Sequence, residues 1–323
     1  MKKIVYLGGF YPAEHSMWHS FTEHGASIVF PFDSPYRFKE DEKVLLIPEF
    51  LTLVWLSEYK PDLIVHRFYK NYPCMHGYVG EMARQLGIPY IVYRMETWPR
   101  DEESSVISPV ECDLFLYANP CDVKFLPEMD VPVDYWPWGV SSFERNMNIE
   151  RSVPVGAFGN LRPDEQERMD SLRMFVWGTM CHRGTQVSMP WDTLHESIRD
   201  LAPAISLDGP CRIPEQTERM NRCRVALNYE SLSAIPGCYS YKMFQTLGCG
   251  TPTITSRKPE FREMFEGALV EIEDGIDVAI QVRRLLEDKE EWARISALSE
   301  RVVHEKFEWF ENFDRIMRKH NLW

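Results

Sequence analysis

Residues 235–265 read IPGCYSYKMFQTLGCGTPTITSRKPEFREMF. The pattern predicts a polar loop, a helix over 241–247, a glycine-containing corner, a short strand and a second helix. A helix N-terminus and backbone N–H groups that meet at a sheet edge bind phosphate without a metal. Lys242 lies in the first helical turn, where its ammonium can pair with a diphosphate, and Gln245 one turn later can hydrogen-bond a sugar hydroxyl. The same pattern also fits an ordinary helix and strand joined by a tight glycine turn.

The first 140 residues alternate short apolar runs with amphipathic stretches, which is the pattern of an α/β layered domain. Helices are predicted around 13–24, 49–59 and 79–86. Such alternation with short connections predicts a mostly parallel sheet that is covered on both faces. The predicted strands are 4–7, 27–30, 63–66, 90–93, 114–117 and 133–135.

A second α/β block follows a break at 137–139 and a polar segment, 141–151, that is typical of an interdomain linker. A polar helix is expected from Asp164, and the last 45 residues have a helical pattern. The sequence thus predicts two Rossmann-like domains that face a cleft, followed by a helical tail. The predicted strands of the second block are 153–158, 225–229, 253–255 and 269–272.

The predicted division gives an N-terminal domain over 1–145 and a C-terminal domain over 146–300. The remaining segment, 301–323, is expected to be a helix that packs back toward the N-terminal domain. A chain of 323 residues is long enough for two such domains.

Composition excludes several classes of protein. The chain is 44% hydrophobic and carries a net charge of −13, so it is neither disordered nor basic overall, and nucleic-acid binding would need a local basic groove. Its eight cysteines form no C-x-x-C pair, which argues against a structural zinc site. The longest apolar stretch, 44–56, is interrupted by Pro48 and Glu49, so no transmembrane segment is expected. With no export signal, a cytoplasmic location is predicted.

The first strand is followed by Gly8 and Gly9, and paired glycines let a backbone approach a ligand closely. They fit an acceptor or pyrophosphate loop, although no G-x-G-x-x-G fingerprint is present. His15 lies at the start of the next helix and can act as a base near neutral pH. A single histidine at such a position also fits a purely structural role.

Glu96 follows the predicted strand 90–93, at the carboxyl edge where doubly wound sheets hold their active-site groups. A carboxylate at this position is a candidate general base. The alternative is a salt bridge to Arg94 or Arg100.

The segment 235–265 resembles the donor-binding signature of GT-B glycosyltransferases, in particular the group related to spore maturation protein CgeB. Three further stretches are similar to that group: VPVDYWPWGV at 131–140, VGAFGNLRPDEQER at 155–168 and MNRCRVALNYES at 220–231. The resemblance implies a GT-B fold, in which an N-terminal acceptor domain over 1–145 and a C-terminal donor domain over 146–300 face each other across a cleft. It also implies a nucleotide-sugar donor, expected to be a UDP-sugar, which is a substrate rather than a cofactor. Because an acidic residue often stands near the end of the strand corresponding to 90–93 in the family, Glu96 is the first choice for the general base that deprotonates an acceptor hydroxyl.

With this resemblance, the predicted donor-binding set comprises glycines, polar side chains and cations from several loops. Many retaining GT-B enzymes carry two glutamates eight residues apart. This sequence departs from that pattern, since Gly237 and Gln245 occupy the corresponding positions. The predicted donor-binding residues are Gly8, Gly9, Gly159, Asn160, Arg162, Tyr241, Lys242, Gln245, Gly250 and Thr251.

The predicted function is hexosyl or pentosyl transfer to an acceptor hydroxyl. No Asp-x-Asp pair occurs, so no metal is expected, and Arg162 and Lys242 would neutralise the leaving diphosphate. The acceptor stays open among a glycan, a small molecule, a protein and a modified nucleic-acid base. One alternative is a catalytically silent nucleotide-sugar binding or scaffold protein. Another is a phage-type glycosyltransferase acting on a modified DNA base, which would need a basic rim formed by Arg67, Lys70, Arg94 and Arg100.

Overall fold

The computed structural model of the chain describes residues 2–8, 12–30, 45–46, 53–67, 73–95, 111–126, 130–159, 166–209, 211, 213–229 and 237–323. The chain divides into two compact units. One unit comprises Met1–Gly139 together with Glu308–Trp323, and the other comprises Val140–Phe307.

The first unit contains a seven-stranded parallel sheet in the order β3-β2-β1-β4-β5-β6-β7. Its strands are β1 (Lys3–Leu7), β2 (Ser27–Phe30), β3 (Leu45–Leu46), β4 (Leu63–Arg67), β5 (Tyr90–Arg94), β6 (Leu114–Tyr117) and β7 (Val133–Tyr135). The helices between them are α1 (Pro12–Glu23), α2 (Leu53–Tyr59) and α3 (Pro73–Leu86), and a 3₁₀ segment covers Pro120–Phe125.

The central strands β4 and β5 have the sequences LIVHR and YIVYR, and all ten residues are buried. Near-continuous apolar runs of this kind are expected where helices cover both faces of a parallel sheet. Ile64, Val92 and Phe115 form the core on one face, together with Val79 and Ala83 of α3.

The second unit contains a six-stranded parallel sheet in the order β10-β9-β8-β11-β12-β13. Its strands are β8 (Val153–Ala157), β9 (Val187–Met189), β10 (Ile205–Leu207), β11 (Cys223–Asn228), β12 (Thr253–Ser256) and β13 (Leu269–Ile272). Its helices are α4 (Gln166–Met180), α5 (Ile213–Arg222), α6 (Tyr241–Gly248), α7 (Phe261–Phe265), α8 (Gly275–Glu287) and α9 (Lys289–Lys306), with a 3₁₀ segment at Glu196–Ala204. The predicted pair of Rossmann-like α/β domains is confirmed.

The end of the chain, α10 (Trp309–Lys319), is part of the first unit and packs on α1. The ring centroids of Phe21 and Phe313 lie 5.0 Å apart. The hydroxyl of Ser20 donates to the carboxylate of Glu308, the N-cap of α10. Only Glu308–Trp323 belongs to this unit, whereas the predicted tail began at residue 301, because α9 runs unbroken to Lys306 within the second unit.

The other boundary lies at residues 139–140, not at the predicted residue 145. The polar segment 141–151 predicts a linker, but Ser141 and Glu144 are buried in the second unit. One carboxylate oxygen of Glu144 accepts hydrogen bonds from the Ser141 backbone N–H at 2.9 Å and from its hydroxyl at 3.0 Å. The turn from Ser141 to Glu144 therefore belongs to the second unit, and its polar groups bond to each other there.

None of the helices given above has the length and hydrophobicity that a membrane crossing requires.

Helices α4 and α8 pack closely at Gly178. A Cβ atom added there would lie 2.5 Å from Cβ of Val278 and 2.6 Å from the carbonyl oxygen of Gly275. Both neighbours belong to packed backbone or a β-branched side chain, so neither can move freely.

We expect Gly178→Ala to lower the free energy of unfolding by about 1–3 kcal/mol, because the added methyl group overpacks this crossing. Urea denaturation of the whole chain measures the change. The adjacent Trp177 is half exposed, and Trp177→Ala should shift the stability by no more than about 0.5 kcal/mol. Wild-type stability of Gly178→Ala would show that the two helices separate at little cost.

Candidate functional site

The carboxyl ends of β8 and β11 are neighbours in the second sheet, and ligands of doubly wound folds bind outside this edge. The chain continues from β8 to Gly159 and from β11 to Tyr229. Helix α6 begins at this edge too, because Nζ of Lys242 in its first turn donates a hydrogen bond of 2.6 Å to the carbonyl oxygen of Tyr229. The positive end of the α6 dipole therefore faces the same region.

Gly159 is the point on which the cationic side chains converge. Its φ of 132° lies in the region that favours glycine. A Cβ atom at this position would lie 2.9 Å from Nη2 of Arg168, 3.1 Å from Nζ of Lys242 and 3.3 Å from the hydroxyl oxygen of Tyr229. The two cationic groups are thus within about 6 Å of each other, beside backbone that only glycine allows them to approach.

Tyr229 orients both cations. Its ring centroid lies 4.0 Å from Nζ of Lys242 and 5.6 Å from Cζ of Arg168, within the range of cation–π attraction. The side chain is fully buried, and burial raises the pKa of the Tyr229 hydroxyl well above its usual range, with the Arg168 charge opposing that rise. The phenol therefore stays neutral at physiological pH and adds no negative charge of its own.

Trp191 fixes the turn from a third loop, the one that follows β9. Its indole N–H donates a hydrogen bond of 2.5 Å to the carbonyl oxygen of Gly159. Its ring meets that of Tyr229 edge-on, with centroids 6.3 Å apart. The backbone at Gly159 is thus held in place by a side chain without the help of a ligand.

The entry to α6 is held by the segment that follows β12. Glu260 Oε1 accepts a hydrogen bond of 2.6 Å from the backbone N–H of Gly237 and one of 3.4 Å from the hydroxyl of Tyr239. The ammonium of Lys258 donates to the carbonyl oxygen of Cys238. Gly237 has a φ of 74°, so this loop also depends on a glycine.

Of the predicted donor-binding residues, the structure brings Gly159 and Lys242 together. The Tyr241 hydroxyl instead donates to Glu144 Oε1 at 2.9 Å. Gln245 is only 1% exposed, and its Oε1 lies 3.5 Å from Nε2 of Gln216. Gly9, Asn160 and Arg162 lie outside the described residues.

Gly250 and Thr251 lie at the opposite edge of the sheet, since they precede β12 while Gly159 and Tyr229 follow their strands. Both belong to a packed corner there. Arg151 donates to the Thr251 hydroxyl oxygen at 2.8 Å and to the Gly250 carbonyl at 3.3 Å. Helix α6 separates them from Lys242, so the structure does not bring Gly250 and Thr251 to the edge at which Gly159 and Lys242 lie.

In the first unit, the packing around Gly8 leaves no space for a side chain. A Cβ atom there would collide with the ring of Tyr6 and lie 2.6 Å from Oε1 of Glu14. His15 lies in the first turn of α1, and burial, with a smaller contribution from His19, lowers the pKa of His15 to about 4. Its imidazole is therefore neutral at pH 7. Glu96, the predicted general base, lies outside the described residues.

Two of the four predicted basic-rim residues are buried in ion pairs. Nη1 of Arg67 lies 2.9 Å from Oε2 of Glu14, and Nε of Arg94 lies 3.4 Å from Oδ1 of Asp122. Both arginines are 4% exposed. Their charges are compensated inside the unit, so these two form no basic surface for a nucleic acid; Lys70 and Arg100 lie outside the described residues.

Sequence reasoning missed Arg168, Tyr229, Trp191 and Glu260. Arg168 falls within the quoted segment 155–168, where the argument selected Arg162 instead. Nothing in the local pattern around Trp191 or Glu260 connects either residue with Gly159 or Gly237, because those contacts join separate loops.

Comparison with known proteins finds one matching family model and several similar folds. Residues 164–318 match the family model described as "Glycosyl transferase-like". The structure is similar to that of HepE from Anabaena in complex with UDP-glucose, with 13% identity, a TM-score of 0.68 and full coverage of both chains. The chain has the GT-B fold.

Two other structures share the fold. A T4 phage BGT mutant in complex with UDP-glucose matches with 11% identity and a TM-score of 0.63, over 98% of this chain and 99% of that one. Sucrose-phosphate synthase from Thermosynechococcus elongatus matches with 12% identity and a TM-score of 0.61, over 99% and 98%. No curated protein matches the sequence. In GT-B terms, the Gly159 site lies in the C-terminal of the two Rossmann-like units.

We expect Thr251→Val to lower the free energy of unfolding by about 1–3 kcal/mol, because its buried hydroxyl also donates to the Met220 carbonyl at 2.9 Å. The Kd of the variant for UDP should equal that of the wild type, since Thr251 lies at the edge opposite Gly159 and Lys242. Thr251→Ser keeps the hydroxyl and serves as the control. A selective loss of UDP affinity in a stable Thr251→Val protein would contradict this placement.

Proposed function

We propose that this protein is a glycosyltransferase that moves a sugar from a UDP-sugar to an acceptor hydroxyl. The observation that carries the proposal is the convergence of Lys242 and Arg168 on Gly159. Lys242 and Arg168 are both cationic hydrogen-bond donors, and a diphosphate beside Gly159 would accept charge-assisted hydrogen bonds from the two of them. The UDP and UDP-glucose bound to HepE support this choice of ligand.

In the reaction, the bond between the anomeric carbon and the β-phosphate oxygen breaks, and the electron pair leaves with UDP. A new bond forms from the acceptor oxygen to the anomeric carbon, while the hydroxyl proton passes to a base. The negative charge that grows on the leaving diphosphate is stabilised by Lys242, Arg168 and the N-terminus of α6. We further propose that Arg162 helps to neutralise this negative charge and that no metal takes part.

The finer assignments are also proposals. The motif at 235–265 supports a CgeB-like glycosyltransferase, and the unpaired cysteine pattern supports a cytoplasmic location. The transferred group is a hexose or a pentose, and the acceptor is a glycan, small molecule, protein or modified base. The buried ion pairs of Arg67 and Arg94 favour an acceptor other than DNA. The second candidate is a catalytically silent protein that only binds a nucleotide sugar, as Gln245 suggests. A turnover measurement distinguishes it from a glycosyltransferase.

The first test combines turnover with calorimetry. We expect the protein to release UDP from at least one UDP-sugar, slowly without acceptor, and the rate to be unaffected by EDTA. Lys242→Met should weaken UDP affinity about ten- to a hundredfold, because one charge-assisted contact is lost.

Lys289→Met removes the same charge from an exposed site at the start of α9 and should bind UDP as wild type does. Binding without turnover for every donor would support the silent alternative. A strict requirement for Mn²⁺ or Mg²⁺ would contradict the metal-free mechanism, and wild-type UDP affinity in Lys242→Met would remove Lys242 from the site.

The second test concerns the base. Glu96→Gln keeps the size of the side chain but cannot accept the proton, so kcat should fall by about 10²- to 10⁴-fold with unchanged UDP affinity. Steady-state kinetics and thermal unfolding are measured on the same preparation. A lower melting temperature with kcat within a few-fold would instead assign Glu96 to a salt bridge and make the neutral His15 the next candidate.

A further inference from the structure

The strands β8, β11 and β12 are parallel neighbours in the second sheet, so the three loops that follow them begin at the same carboxyl edge. The first loop carries Gly159 and the second leads to α6. The third, 257–260, holds the second at two points, with the Lys258 ammonium on the Cys238 carbonyl and the Glu260 carboxylate on the Gly237 N–H. The third loop therefore supports the entry to α6 from the same edge of the sheet.

The two carboxylate oxygens of Glu260 differ in the hydrogen bonds that they accept. Both hydrogen bonds that it accepts within the described part of the chain fall on Oε1, from Gly237 and Tyr239. The side chain is half-buried, in contrast to Lys258, which is 3% exposed. With Oε1 fixed by the loop, the carboxylate has a defined orientation, and Oε2 retains its capacity to accept hydrogen bonds from a ligand.

A UDP-sugar whose diphosphate lies at Gly159 would meet different side chains on the two sides of Gly159 along this edge. On the β9 side, the half-buried ring of Trp191 offers an aromatic surface that suits a flat base. On the β12 side, Glu260 offers a carboxylate, which is an acceptor for several hydroxyl groups. The uridine end of the donor matches the first side, and the sugar end matches the second.

We propose that Glu260 is a specificity-determining residue that binds hydroxyl groups of the donor sugar through Oε2, while Oε1 shapes the loop before α6. This inference rests on the proposed function, because it needs the diphosphate at Gly159. It differs from a purely structural role in one measurable respect: the sugar moiety, and not the UDP moiety, should respond to the loss of the charge.

The experiment compares calorimetric Kd values of the full-length protein for UDP and for the tightest-binding of UDP-glucose, UDP-galactose and UDP-N-acetylglucosamine. Glu260→Gln retains an acceptor oxygen for Gly237, so we expect the Kd for UDP to stay within about threefold of wild type. The Kd for the UDP-sugar should rise about tenfold or more, since a charge-assisted hydrogen bond is weakened. Glu263→Gln removes the same charge from an exposed position on α7 and should change neither value.

The outcomes separate the two proposals. If wild type binds UDP but Glu260→Gln changes both Kd values equally, or neither, then Glu260 acts only on the loop and the inference is overturned. If wild type binds neither UDP nor any of the UDP-sugars, the proposed function fails and the inference fails with it. A selective loss of sugar affinity in a variant with a wild-type melting temperature supports both.

Discussion

The approach of two cations to the backbone of Gly159 is the constraint on which the second unit's site depends. Any other residue would place a Cβ atom within about 3 Å of both Arg168 and Lys242 and would also oppose the φ of 132°. Trp191 holds the Gly159 carbonyl, and Tyr229 lies against both cations. Because these contacts come from several loops, they fix the backbone at Gly159 relative to both cations.

The two sheets use charged residues differently at their carboxyl ends. In the first unit, Arg67 and Arg94 are paired with the buried carboxylates of Glu14 and Asp122, so their charges are compensated within the unit. Removing one partner would leave an uncompensated buried charge, which is strongly destabilising. In the second unit, Arg168 and Lys242 converge on one glycine. The first arrangement stabilises the fold, and the second is the one on which the proposed diphosphate site is based.

Polar loops in this protein are held by side chains from distant parts of the sequence. Glu144 accepts hydrogen bonds from the turn that contains Ser141 and from Tyr241, almost a hundred residues further along the chain. Glu260 and Lys258 hold the loop that begins at Gly237. Such bonds let loops that lack regular secondary structure keep one conformation, as a preorganised site requires.

The sequence by itself determined the α/β architecture, because buried strands such as 114–117 and 269–272 have β-branched and aromatic runs that local periodicity detects. The three-residue strands β9 and β10 were not predicted, whereas the equally short β7 was. The sequence also placed Lys242 at a helix start. Only the tertiary structure decided that Thr251 lies at the opposite edge, and that Arg168, Trp191 and Glu260 join the site. The physical reason is that the carboxyl ends of parallel strands lie at one edge of the sheet, so residues that are far apart in the sequence meet there. Lys242 and Thr251 are close in the sequence, but α6 extends between them and places them at opposite edges.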